Sequence, residues 1–302
     1  VAELNLKKAE KMKDELTKKQ QIKIRNLYKE AAREVGKEAR ALKNIKSGSK
    51  VIERARLYDL ERKIRKQIKI ISWEIETGIK SDMYGLSRVI AEENEGFINK
   101  IGIKETGLFS GVPDSVVKAI SSGKVYNSGW SLSSRIWSIE EKTLKDIHSV
   151  IAKGLIENKS SYDIAKDLEK YVDPKAKKDW SWSKVYPNTN KVVDFNAQRL
   201  ARTLIQHSYQ QAFVETTYYN PFITGYQWIS ELIHDRTCDV CRQRHLEIFD
   251  KDSLPLDHPM GLCNVIAVIP DSLQNIASKI GDWSNSPTGT YPDIDIWSKH
   301  MR

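Results

Sequence analysis

Cys238-Asp-Val-Cys241, followed by Leu256-Asp-His-Pro-Met-Gly-Leu-Cys263, holds all three cysteines of this 302-residue chain. A C-x2-C pair and an H-x4-C pair supply three thiolates and one imidazole, a donor set suited to tetrahedral zinc. Two intervening residues let Cys238 and Cys241 turn toward one ion from a tight loop, and His258 and Cys263 close the shell from the far side. Four protein ligands leave no open position, so the expected ion is structural Zn2+. Such a site contributes roughly 10–16 kcal/mol of apparent binding energy to folding. His245, four residues past Cys241, is the alternative fourth ligand. The stretch is framed by two strand patterns. Gly225-Tyr-Gln-Trp-Ile-Ser230 alternates, and Val265-Ile-Ala-Val-Ile269 is continuously apolar. The metal would therefore pin a long irregular excursion between two short strands.

Working outward, Asp194 is expected to cap a strong helix running to about Tyr219. Ala197, Leu200, Ala201, Leu204, Ser208 and Ala212 form its buried side, and Pro221 stops it. Arg199, Arg202, Gln206 and Gln210 fall mainly on other faces. Upstream, helices are expected at about 133–153 and 160–171, with a serine of the Asn158-Lys-Ser-Ser161 stretch capping the second. The stretch 173–192, with Trp180, Trp182 and Tyr186, reads as an irregular loop or hairpin. Residues 104–130 are rich in Gly, Ser and Pro and read as a linker. After Pro270 the tail offers one short helix.

The N-terminal part has a different character. Met12, Leu16, Ile24, Leu27, Ala31, Val35, Ala39 and Leu42 recur at helical spacing. So do Leu57, Leu60, Ile64, Ile68, Ile71 and Ile75 after the Lys46–Lys50 break. Gly78 is expected to end the second helix, with a third over about 82–100. A helix of about 38 residues extends on the order of 57 Å and buries its seam only by pairing. The predicted fold is thus α+β and predominantly α-helical: a long N-terminal helical hairpin over 1–103, then a C-terminal helical domain with a small β-sheet and a zinc-stapled loop over 131–270, and a tail over 271–302.

Charge follows the same division. The net charge is +9, yet residues 1–70 hold 22 Lys and Arg against 10 Asp and Glu, a net of +12, leaving −3 for the remainder. An acidic partner is expected for that end alone, and double-stranded DNA held without sequence preference suits it, because no base-reading motif accompanies the charge. No run of about 18 apolar residues marks a membrane span, and no apolar leader segment is visible. Three unpaired cysteines point to a reducing compartment such as the cytoplasm.

Catalytic signatures are scarce. G-x-S-x-G, G-x-G-x-x-G and G-x4-G-K-[ST] patterns do not occur. The adjacent acids Glu92-Glu93 and Glu140-Glu141 read as helix surface charge, and His148 and His207 as half-buried helix residues. Asp257-His258-Pro259 near Asn264 and a C-x2-C superficially matches a ββα-metal nuclease, a zinc-dependent enzyme acting on nucleic acid. That class needs a helix after the second strand to deliver a further histidine, and none is expected here.

Several of these pieces occur together in one known family. Asp194-Phe-Asn-Ala-Gln-Arg-Leu-Ala-Arg-Thr203 with His207-Ser-Tyr-Gln-Gln211, Asn220-Pro-Phe222, Cys238-Asp-Val-Cys241 and Asp257-His-Pro-Met-Gly-Leu-Cys263 resembles the phage head morphogenesis family, the Mu F-like minor capsid proteins. Leu132-Ser-Ser-Arg-Ile-Trp137 also looks like the family, so the resemblance covers about 130–270. Many members read His-Pro-x-Cys-x-Cys where this chain has Gly261, which leaves His258 as the expected fourth ligand. The resemblance implies a non-enzymatic, low-copy virion component of a tailed phage or prophage. It implies portal or major capsid protein as partner and a place inside the head near the portal vertex and the packaged DNA. The competing class is a toxin-type protein carrying the same domain.

Overall fold

The computed structural model describes residues 4, 6–43, 50–126, 129–175, 193–232 and 237–301. Of the predicted break at Lys46–Lys50, residues 46–49 lie outside the described residues and Lys50 already begins a helix; the Trp180, Trp182 and Tyr186 stretch also lies outside them. The fold is α+β and predominantly helical. In chain order it comprises α1 (Lys7–Lys43), α2 (Lys50–Lys100), α3 (Val112–Ser122), α4 (Leu132–Ile156), α5 (Ser161–Val172), α6 (Phe195–Thr217), β1 (Gly225–Ile229), α7 (Asp239–Arg244), β2 (Ile248–Phe249), β3 (Asn264–Val268), α8 (Leu273–Ser284) and α9 (Pro292–His300). No helix among the described residues is long and apolar enough to cross a membrane. Two compact units are each assembled from separated stretches of chain.

The unit formed by Lys18–Ile79 and Trp130–Ala201 contains most of the hairpin. Glu38 meets Lys63 at 2.9 Å and Lys23 meets Glu74 at 3.0 Å, so α1 and α2 run antiparallel. The expected seam is buried at Ile24, Ala31, Val35 and Ala39 and at Leu57, Leu60, Ile64, Ile68, Ile71 and Ile75. Gly78 does not end the second helix, contrary to expectation. α2 continues because Ile79 prolongs the seam with no exposed surface, and the glycine serves close approach instead. A Cβ at Gly78 would sit 2.8 Å from Nε2 of Gln20 on α1. Ser131 and Ser160 cap α4 and α5 by accepting from the backbone N–H groups of Ser134 and Asp163, each at 3.1 Å. Asp194 stands at the N-terminal end of α6, as expected, its carbonyl accepting the Gln198 N–H at 3.0 Å, and its carboxylate turns to the Gln198 side chain and Arg25. α4 and α5 cross at Gly154, where a Cβ would meet the buried Ile164 side chain at 2.5 Å.

The unit formed by Val1–Thr17, Lys80–Gly129 and Arg202–Arg302 contains the sheet. β1 lies centrally between β2 and β3, antiparallel to both, with Gln227 opposite Ile248 on one side and Ile266 on the other. Tyr226 and Trp228 point into the core. Tyr226 packs edge-on against Phe213 of α6 and shares a 2.9 Å hydrogen bond with Thr217. The seam of α2 runs on through Met83, Leu86 and Ile90, so the predicted third helix is the same helix as the second.

Three local expectations change here. Residues 104–130 contain α3, with Pro113 in its first turn and Gly123 closing it in the left-handed region at φ 82°. The tail forms two helices, not one, because Trp297 of α9 is fully buried and packs edge-on against Phe222. Glu92 stays at the surface beside Lys8, as expected. Glu93 accepts from the backbone N–H groups of Lys8 and Ala9 at 3.1 and 2.9 Å, satisfying orphan donors at the start of α1.

Gly154→Ala should therefore destabilise the protein by about 1–3 kcal/mol through overpacking against Ile164. Gly96→Ala, on an exposed stretch of α2 with open space around the new methyl, should gain about 0.5–1 kcal/mol. Denaturant midpoints compare the two; equal midpoints would contradict the close crossing of α4 and α5.

Candidate metal centre

The centre is built on a short turn of helix and a braced loop. Cys238 is the N-cap of α7 and Cys241 lies one turn on, so both thiols come from one rigid element. The end of β1 anchors that element: Trp228 Nε1 donates to Ser230 Oγ at 3.1 Å, and Ser230 Oγ donates to the Cys241 carbonyl at 2.6 Å.

The opposing loop is shaped by Asp257. Its carboxylate accepts the backbone N–H of His258 at 2.8 Å and of Cys263 at 3.1 Å, cinching both ends of the hexapeptide. Burial raises the Asp257 pKa above the usual carboxylate range, opposed by His258 and by these two hydrogen bonds. Between them the Gly261 N–H donates to the His258 carbonyl at 2.8 Å. Pro259 takes the second position of that turn and Met260, at φ 71°, the third. Proline favours the former, whereas a left-handed residue in the latter is usually glycine. Gly261 itself is required by space, since a Cβ there would lie 2.1 Å from the Asp257 carboxylate. A cysteine at this position would displace the brace.

One face of α6 holds the loop from behind. Thr203 Oγ1 accepts the Met260 N–H at 3.2 Å, and Gln206 Nε2 donates to the Cys263 carbonyl. His207 Nε2 donates to the Asp257 carbonyl at 2.8 Å, while its Nδ1 accepts from Tyr126 at 3.0 Å. Gln210 both accepts the Asp257 N–H at 3.0 Å and donates to the Pro255 carbonyl at 2.6 Å. Residues 203, 206, 207 and 210 share one helix face by spacing, and Gln206, His207 and Gln210 are buried. The sequence reading placed Gln206 and Gln210 on other faces and His207 half-buried. The missed signal is a second, polar stripe at helical spacing beside the apolar one.

The four expected ligands come together. Cys238, Cys241 and His258 bring their ligand atoms within 4.8 Å of one another, and Cys241 does the same with Asp257 and Cys263. Cys238 Sγ lies 3.5 Å from His258 Nε2, and Cys241 Sγ lies 3.4 Å from Cys263 Sγ. Zinc bond lengths give tetrahedral edges of about 3.6 Å for S···N and about 3.8 Å for S···S, so the donor set fits a small divalent ion. The His258 tautomer fits too. Its Nδ1 lies 3.0 Å from the Pro259 carbonyl, which can only accept, so the lone pair resides on Nε2 facing Cys238. The Cys238 thiol is held below the ordinary range by a hydrogen bond from the Cys241 backbone, whereas burial pushes the Cys241 thiol up. A divalent cation offsets that burial cost, so metal uptake here would release protons.

His245 lies apart from these groups, and its Nδ1 accepts the Ser230 N–H at 3.2 Å. Asn264 is engaged by Lys13, a buried lysine whose pKa burial lowers. The helix that follows β3, α8, contains no histidine. His148 is exposed beside Glu61 at 3.4 Å. Arg202 lines a cavity of about 250 Å3 alongside the cysteines and Met260. No family model, curated protein or solved structure matches the chain.

Gln206→Ala and His207→Ala retain every ligand but free the loop from α6. Each should weaken metal binding about 10–100-fold, read by competition with a chromophoric chelator. Unchanged affinity in both would remove α6 from the support of the site.

Proposed function

We propose that this chain is a non-enzymatic minor capsid protein of the phage head morphogenesis, Mu F-like kind, stapled by one structural Zn2+ on Cys238, Cys241, His258 and Cys263. The observation that carries the reading is the convergence of these four side chains on a loop hydrogen-bonded to α6. The same residues, in the same order, make up the resemblance to that family. Three sulfurs and an imidazole are a donor set that favours zinc over harder cations.

When bound, the ion supplies a cross-link between the α7 turn and the Asp257–Cys263 loop. The chain's own residues do the rest. Asp257 shapes the loop, α6 seats it, and Ser230 fixes the C-x2-C turn. The product is a rigid lobe on a small sheet, suited to docking against portal or major capsid protein within a head. The basic N-terminal region suits a place beside packaged double-stranded DNA, where released counterions favour retention.

Purified heads of the phage or induced prophage should contain this chain at low copy, with one zinc per chain by quantitative mass spectrometry and elemental analysis. Absence from heads would refute the capsid role, and a metal-free native protein would refute the staple.

A further inference from the structure

Beyond the metal lobe, α1 within the Lys18–Ile79 unit segregates its charge. Lys18, Arg25, Lys29, Arg33 and Arg40 are separated by seven, four, four and seven residues, steps that return to one side of a helix. Between Lys18 and Lys43 no acid of α1 shares that side, and the Glu169 carboxylate of α5, which packs over Gly36 between Arg33 and Arg40, is paired with Lys166. Glu30, Glu34 and Glu38 step by four on another, where Glu38 pairs with Lys63. Lys175, just past α5, joins the row by meeting Lys29. The Lys29 ammonium is held below the ordinary lysine range, by partial desolvation first and then by repulsion from Lys175, Arg25 and Arg33. Among the described residues, Arg25 alone of these six cations has a carboxylate partner, Asp194 at 3.7 Å. Lys18, Arg33, Arg40 and Lys175 are exposed. The row from Lys18 to Arg40 spans about 33 Å at 1.5 Å per residue, about ten base pairs of a duplex at 3.4 Å each.

We propose that Lys18, Arg25, Lys29, Arg33 and Arg40, with Lys175, form a binding site for the phosphate backbone of duplex DNA. Like charges crowded with few counter-charges cost energy in the free protein, and a row of phosphates removes that cost. Steps of four place neighbouring cations about 6 Å apart along the axis, a spacing that lets successive side chains reach successive phosphates. The choice of duplex DNA as the polyanion rests on the head-protein reading above; the row of crowded cations does not.

The test uses the full zinc-loaded chain, fluorescence anisotropy and two duplexes of unrelated sequence. Wild-type protein should bind both alike, with log affinity falling against log salt at a slope of about −5. The triple variant Lys29→Glu, Arg33→Glu, Lys175→Glu should lose at least about tenfold in affinity and flatten that slope by about 3. The triple variant Lys104→Glu, Lys118→Glu, Lys124→Glu makes the same charge change at exposed positions of the other unit and should stay within about threefold of wild type. Circular dichroism must show wild-type helicity in both. Equal losses in the two triples would overturn the site, as would no binding by the wild type or tighter binding of single-stranded RNA. Presence of the chain in heads together with an unaffected stripe variant would sink the site while leaving the capsid reading intact.

Discussion

The Asp257 carboxylate is the constraint around which the metal lobe is arranged. Buried and bonded to the N–H groups of His258 and Cys263, it draws the two ligand-bearing ends of one loop together. An ionised carboxylate in such a place is costly unless charge-assisted hydrogen bonds surround it. The loop backbone supplies those bonds, and the tight wrap explains why glycine occupies position 261. Removing the carboxylate would leave the buried Cys263 N–H unsatisfied, the His258 N–H without its partner, and the two side chains without a fixed separation.

A loop of this kind has little core of its own, so its position is borrowed. α6 lends it through four polar side chains, and β1 lends the C-x2-C turn through Trp228 and Ser230. The apolar side of α6 meanwhile packs the helical core through Ala201, Leu204, Ile205 and Ala212. One helix thus joins the hydrophobic core to the polar clasp, and a metal ion would lock a geometry already held by hydrogen bonds.

Much of this was legible in advance because local rules act over short stretches. The C-x2-C and H-x4-C spacings, the strand patterns around them and the seams of α1 and α2 all follow from side-chain periodicity. Other features were misread for identifiable reasons. Gly78 was read as a stop, yet Gln20 across the hairpin and the continuing seam at Ile79 make it a crossing point. α3 carried its own signature, Pro113 at the start and Gly123 at the end, beneath a composition that suggested loop. The polar face of α6 escaped because buried glutamines are uncommon, and their burial makes sense only once a loop with unpaired carbonyls lies against them.

The amino-acid order by itself determined which residues could be ligands, the seams of the long helices, the two strand patterns that frame the ligands, and that positive charge gathers at one end, since these depend on neighbours a few positions apart. Tertiary structure alone decided that the polar stripe of α6 is buried against the ligand loop, that Glu93 satisfies the start of α1, and that Lys175 stands against Lys29. Each of those pairings closes a contact between segments far apart in the chain, and such contacts are set by the packing of whole elements, which no short-range pattern encodes.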